Sequence, residues 1–339
     1  MSIRLSTIAA KAGHLLPDLQ ADSRTIAGLL CAVLLLVLSG CAFLPSGPLP
    51  QSPGTPARGM VRGVPFYPQE DLQCGPAALA MVLQWSGVDV VPADLTGEVF
   101  SPGLEGSLQS ALVGSARRHA RVAYPLSGSR DLLTEIAAGH PVLVLLNLGL
   151  SWYPKWHYAV VTGYDQTSGE LFLHSGRIAN ESLSTRVFTN VWKRSANWGL
   201  LVLPPGQLPA SGRELPWLTA VAGLENVGEW QAATDGYAAA LERWEESFPA
   251  WMGLGVSNYH LGRLDAAAAA FDRATRIKPD NGMAFNNLAQ VLAERGRRRE
   301  ALAAAQRAVA LGGPLLETFR QTYEEIETQR SQTGRPPAR

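Results

Sequence analysis

Cysteine is scarce in this 339-residue chain, with three residues at 31, 41 and 74, so a disulfide-stapled scaffold and a four-cysteine zinc site are both excluded. Net charge is also lacking. The 29 basic residues balance 29 acidic ones, which removes the electrostatic footprint of a nucleic-acid binder. Nor is there an uncharged apolar run of the ~18–20 residues that a comfortable bilayer span needs, since the longest covers only 25–38. What is present is 46% apolar sequence with 17% charge, too hydrophobic for disorder, at a length suited to about two folded units at roughly 150 residues each. The charge is uneven. Residues 1–203 hold 27 charged side chains and the shorter stretch 204–339 holds 31, so two differently built halves are expected.

The apolar run follows Arg4, Lys11 and Arg24 and ends in Leu38-Ser39-Gly40-Cys41, a short span with small residues where an export signal is cut. Leu-Ser-Gly-Cys resembles the lipobox of bacterial lipoproteins. The resemblance implies a signal peptide over 1–40, lipidation of Cys41, and a cell-envelope location; Ala42, where an inner-membrane retention signal would place Asp, favours the outer membrane facing the periplasm. An uncleaved anchor helix is the alternative. Residues 41–63 then read as the lipidated cysteine and a Pro-rich tether, with five prolines and four glycines after Cys41.

From Val64 the pattern changes. Leu79, Val82 and Leu83 keep helical spacing after Cys74, and Pro76 suits the first turn, so Cys74 is predicted at a helix N-terminus. There the helix dipole favours a thiolate, predicting a lowered thiol pKa. With Cys31 removed and Cys41 acylated, Cys74 would be the single free thiol; a buried structural cysteine is the alternative. Downstream, 141–148 reads as a buried strand, 151–156 as an aromatic loop, and His157 as the opening of a second strand that returns through a turn at 166–169 to Glu170–Gly176. A histidine where a strand meets a loop is held rigidly and is reachable by substrate.

Gln69, Cys74-Gly75-Pro76-Ala77-Ala78-Leu79-Ala80-Met81 and His157-Tyr158-Ala159-Val160-Val161 together resemble the double-glycine leader peptidase family of papain-like cysteine peptidases, over residues 61–205. The resemblance implies an α+β papain-like domain, residues 64–205, with Cys74 as nucleophile, His157 as general base and acid, and Gln69 as oxyanion donor. It implies no cofactor and no metal. The family's third member, an Asp followed by Pro at the end of the hairpin return, is replaced here by His174-Ser175-Gly176. Ser175 stands nearest that position and offers a hydrogen bond without charge, while His174 and Asn180 are the neighbouring alternatives. Asp165 lies eight residues from His157, about 26 Å along a straight strand at ~3.3 Å per residue. Arg117, Arg118 and Arg121 read as a solvated helix face, and His119, His140 and His260 as surface or structural residues.

Residues 206–214 read as a linker and 215–330 as an all-α array. At an offset of 34, Trp217, Trp251 and Phe285 align, as do Gly228, Gly262 and Gly296, and Ala233, Ala267 and Ala301. The array resembles tetratricopeptide repeats capped by a helix over 315–330, with 331–339 a disordered tail. Such repeats imply a groove for a protein or peptide partner, or a surface packed on the first domain. The reading is therefore an envelope-anchored cysteine peptidase or peptide transferase acting on a peptide or protein substrate, with a repeat domain for recruitment. A catalytically silent peptide-binding scaffold is the competing reading.

Overall fold

The computed structural model describes residues 54–69 and 72–333; the expected signal segment, Cys31, Cys41, most of the tether and residues 334–339 lie outside them. The first half is an antiparallel sheet in the order β4-β9-β5-β6-β7-β8, formed by Val122–Ser127 (β4), Val142–Asn147 (β5), Trp156–Asp165 (β6), Glu170–Ser175 (β7), Ile178–Ser184 (β8) and Trp198–Leu203 (β9). A short strand, Arg58–Met60 (β1), pairs with the far end of β6, beyond the reach of β5. A minor hairpin, Phe100–Ser101 (β2) and Gly106–Ser107 (β3), stands apart.

Alternation along the strands divides the core between two faces of the sheet. Leu143, Leu145, Tyr158, Val160, Leu200 and Val202 face one way, against Cys74–Trp85 (α1), Pro92–Val99 (α2) and Gln109–Arg118 (α3). The α1 helix is apolar on every side, and Ala77 to Leu83 are at most 1% exposed, as a helix at the centre of a layer must be. Tyr124, Val144, Ala159, Val161, Leu173 and Leu201 face the other way, toward Ser129–Ala137 (α4), Thr185–Lys193 (α5) and the helical array.

That array consists of Glu214–Glu225 (α6), Trp230–Arg243 (α7), Phe248–His260 (α8), Leu264–Ile277 (α9), Gly282–Glu294 (α10), Arg298–Leu311 (α11) and Leu316–Thr333 (α12). The in-register glycines have a physical reason. Gly228, Gly262 and Gly296 take φ of 81°, 70° and 73°, left-handed conformations that end the first helix of each pair and that a side chain would strain. The matching alanines at 233, 267 and 301 are fully buried where partner helices meet. Sheet-rich region and tetratricopeptide-type solenoid follow one another, as the sequence predicts.

Three expectations change. Residues 56–61 are part of the fold rather than tether: the Tyr164 hydroxyl donates to the Pro56 carbonyl, Val61 is buried, and Gly59 lies under the Tyr164 ring. Their Gly/Pro composition hid a strand that needs only backbone pairing. The linker is a built junction. Its Ser211 N–H and hydroxyl both donate to the buried Glu135 carboxylate, which also pairs with buried His140 at 2.6 Å, and the Gln207 amide meets the other ring nitrogen of His140. The three arginines are not a uniform solvated face: Arg121 bonds Ser86, Arg118 pairs with Glu98, and Arg117 lies against the backbone of Gly223 on α6, with its Nε buried. The cap helix runs three residues past 330.

The described residues belong to one compact unit, because α6 packs directly on β4. Trp217 is fully buried against Tyr124, with ring centroids 6.4 Å apart, and its indole N–H donates to the Gly236 carbonyl. The first repeat shares its hydrophobic core with the sheet.

Candidate active site

Cys74 opens α1, where the first backbone N–H groups have no intrahelical acceptor. Gly75 is required by packing, since a Cβ there would collide with the side chain of Ser107 on β3. Tyr158 fastens β3 from the other side, its hydroxyl donating to the Ser107 carbonyl at 3.0 Å. Ser107 carried no sequence signal, because it meets Gly75 and Tyr158 across 30 or more residues of chain, and Tyr158 entered only as a neighbour of His157 in its motif.

The Cys74 sulfur is met by the backbone N–H of Tyr158, the residue after His157, and by those of Gly75 and Cys74 itself. Burial pushes the thiol pKa up nevertheless, and these donors only partly counter it. The lowered pKa expected from the helix dipole is thereby corrected: desolvation of the sulfur outweighs the backbone N–H groups around it. His157 is pushed down by burial, with Glu181 pulling up and Lys155 pushing down. Both shifts favour the uncharged forms, thiol for Cys74 and neutral imidazole for His157.

β6 begins one residue earlier than predicted, at Trp156, so His157 is its second residue, and the His157 Nε2 shares a hydrogen bond of 3.1 Å with Ser175 Oγ at the end of β7. The alternatives have other partners. His174 is 4% exposed, bonds the Val64 carbonyl through Nε2, accepts from the Asn180 N–H at Nδ1, and stands edge-on to Phe66. Asn180 accepts from the Thr162 hydroxyl. Asp165, at the far end of β6, is engaged by Arg58 at 2.8 Å and by the N–H groups of Thr167 and Ser168.

Gln69 is buried between these parts. Its Nε2 donates to the Tyr158 carbonyl at 3.1 Å, its Oε1 accepts from the Gly176 N–H at 3.1 Å, and its own N–H donates to the Gly176 carbonyl. One amide therefore ties the strand bearing His157 to the turn bearing Ser175. One amide hydrogen of Nε2 is left for another acceptor.

The aromatic loop before His157 is rigidly built and outward facing. Asn147 Oδ1 accepts from the N–H groups of Gly149 and Lys155, and Arg194 donates to the Gly149 carbonyl at 2.6 Å. Gly149 is packed so closely on the backbone of 153–155 that no side chain fits. This frame holds Trp152 81% and Tyr153 72% exposed, with Leu148, Leu150 and Trp156 also exposed beside them.

The remaining histidines among the described residues are accounted for structurally: His119 meets Glu98, His140 sits in the junction, and His260 stacks on Trp230 at 3.8 Å. Among the described residues no cluster of three or more His, Cys, Asp or Glu side chains is arranged to hold a metal ion, and no helix is long and apolar enough to cross a membrane.

Comparison with known proteins agrees with this division. Residues 61–198 match the Peptidase_C39 like family and residues 223–282 match the tetratricopeptide repeat. No curated protein matches the chain. Among solved structures, a C39-like peptidase from Bacillus anthracis, itself described as putative, is 19% identical over 43% of this chain and 97% of its own, with a TM-score of 0.36. The type III secretion translocator chaperone SycD of Yersinia enterocolitica is 16% identical over 34% of this chain and 83% of its own (TM-score 0.33). The TPR2B domain of yeast Sti1, in a complex with pHsp70, is 17% identical over 32% of this chain and 92% of its own (TM-score 0.32). The chain thus carries a C39-like peptidase domain followed by tetratricopeptide repeats, a module that commonly binds peptides or proteins.

Proposed function

We propose that the chain is a cysteine peptidase or peptide transferase, held at the cell envelope by a lipid on Cys41, whose nucleophile is Cys74 and whose base is His157. The observation that carries the reading is the Cys74 sulfur under the influence of the N–H of Tyr158, the residue that follows His157, whose own Nε2 is occupied by Ser175. With the Nε2 proton donated to Ser175 Oγ, Nδ1 is the free basic nitrogen. It takes the thiol proton as the sulfur attacks a peptide carbonyl, and returns it to the leaving amine; water, or an acceptor amine, then resolves the thioester. The oxyanion is met by the Cys74 N–H and the remaining amide hydrogen of Gln69, each donor contributing about 2.7–4 kcal/mol.

With the uncharged forms favoured at both residues, the thiolate forms during the attack. Alkylation of Cys74 should consequently depend on His157 and rise with pH. The exposed Trp152 and Tyr153, on the hydrogen-bonded loop that leads into His157, supply an apolar wall for substrate side chains, and the repeats supply a partner-binding groove.

Treatment of the detergent-solubilised full chain with iodoacetamide, followed by peptide mapping, tests the reading. Labelling of Cys74 should be abolished in Cys74→Ala and slowed at least about tenfold in His157→Ala, the usual contribution of general-base catalysis being 10²–10⁴. Folded protein whose Cys74 stays unlabelled at pH 7–8 would establish the silent peptide-binding scaffold instead.

A further inference from the structure

Serine at 175 leaves the imidazole oriented but without the negative charge that stabilises an imidazolium. The sheet brings a carboxylate to the same face. In the β6–β7 ladder Val160 pairs with His174 and Val161 with Leu173, so Leu173 and Ser175 lie on the side of the sheet shared by His157, Ala159 and Val161. In the β7–β8 ladder Leu173 pairs with Glu181, which puts Glu181 on that side too. The strand itself distinguishes this position. Along β8 the side chains are exposed except Glu181 and Leu183, which are half-buried, and Leu183 packs against the core. An inward-facing glutamate at a place suited to a hydrophobe costs packing. Among the described residues no arginine or lysine lies within ion-pair distance of it.

On the reading that Cys74 and His157 form the reactive pair, we propose that Glu181 is the positioning carboxylate of the site, acting across β7 to stabilise the imidazolium of His157 while Ser175 orients the ring. When the Cys74 S–H bond breaks and the proton passes to Nδ1, a positive charge appears on His157, and Glu181 is the fixed anion that faces it. Its charge acts on His157 in the stabilising direction, against Lys155 at the start of the same strand. The other titratable groups nearby are Cys74 and Tyr158, both held in their protonated forms by burial, with Arg177 exposed in the β7–β8 turn.

The test combines two readouts on the full chain. NMR titration of the His157 ring should give a lower pKa in Glu181→Gln, a higher one in Lys155→Gln, and a nearly native one in Glu181→Asp. Iodoacetamide labelling of Cys74 near pH 7 should slow about twofold to fivefold in Glu181→Gln, the size expected of one partly exposed charge, and the difference should shrink in high salt. Identical His157 titrations in wild type and Glu181→Gln would overturn the proposal. Repeating the titration in Cys74→Ala separates the two readings: the pair can fail as a nucleophile while the coupling of Glu181 to His157 persists, or label normally while that coupling is absent. Should Glu181→Gln not fold, Glu181→Ser is read in its place, and a His157 titration identical to wild type there overturns the proposal.

Discussion

The sheet region and the repeat region solve opposite problems with stretches of chain of comparable length. In the repeats, each structural feature recurs every 34 residues: a left-handed glycine ends a helix, and a buried alanine admits its neighbour. Contacts are short-range and each is one of three. In the sheet region nothing recurs. Gln69 joins Tyr158 to Gly176, Ser107 closes on Gly75, and Ser175 meets His157, every link bridging a long stretch of chain and existing once. Redundancy supports a surface for binding. A reacting pair needs unique constraints, because a displacement of even 1 Å degrades alignment.

The two regions meet at Trp217, and the largest effect is expected there. Trp217→Ala removes a fully buried indole shared by both, and should cost about 3–5 kcal/mol in urea unfolding. Since the core is continuous, fluorescence of the sheet region and far-UV circular dichroism of the helices should shift together; separate transitions would show that the regions fold independently. A smaller and more local effect is expected at Gly262→Ala. A left-handed alanine costs about 1–2 kcal/mol, and the loss should leave the alkylation rate of Cys74 unchanged. A fall in that rate would break the distinction between redundant and unique constraints.

The subtlest difference is in the response to acid. Burial lowers the pKa of His157 and His174, so below the ordinary imidazole value of about 6.5 the unfolded chain binds more protons than the folded one, and stability falls as pH falls. At the junction, burial would raise Glu135, but hydrogen bonds from His140 and Ser211 outweigh it and lower its pKa. Its contribution is present above about pH 4.3 and is lost as pH drops through the depressed value. Glu225 on α6 has the opposite sign, because burial raises it and the folded state takes up its proton first. Asp131 is raised by burial in the same way. The melting temperature should be nearly level from pH 8 to 7 and decline toward pH 5. Glu225→Gln should steepen that decline by removing one of these two opposing groups, and an unchanged slope would refute the assignment of signs.

Much of the candidate site can be read from sequence because its parts carry local signatures. Cys74 precedes an apolar helical run with Pro76 in its first turn, and His157 stands near the start of an apolar strand after a loop. The same holds for the glycines of the repeats, whose period is visible without any structure. The departures arise where local composition and tertiary environment compete. A helix start argues for a thiolate at Cys74, but the sulfur is desolvated by the layer packed around it. Glycine and proline argue for a tether at 56–61, but β6 extends past β5 and offers those residues an open edge. Glu181 has no distinguishing neighbour in sequence, and its relation to His157 exists only through the registers of two ladders.

The sequence by itself determined the order of the two regions, the helix that begins at Cys74, the strand that bears His157 near its start, and the 34-residue period, because propensity, apolar spacing and turn chemistry act within a few residues of chain. Tertiary structure alone decided which charges and hydrogen bonds surround the sulfur and the imidazole, and whether the repeats stand apart from the sheet or share its core. Those outcomes depend on burial and on pairing between residues up to about a hundred positions apart, and desolvation is a property of the packed volume around a group rather than of its neighbours in sequence.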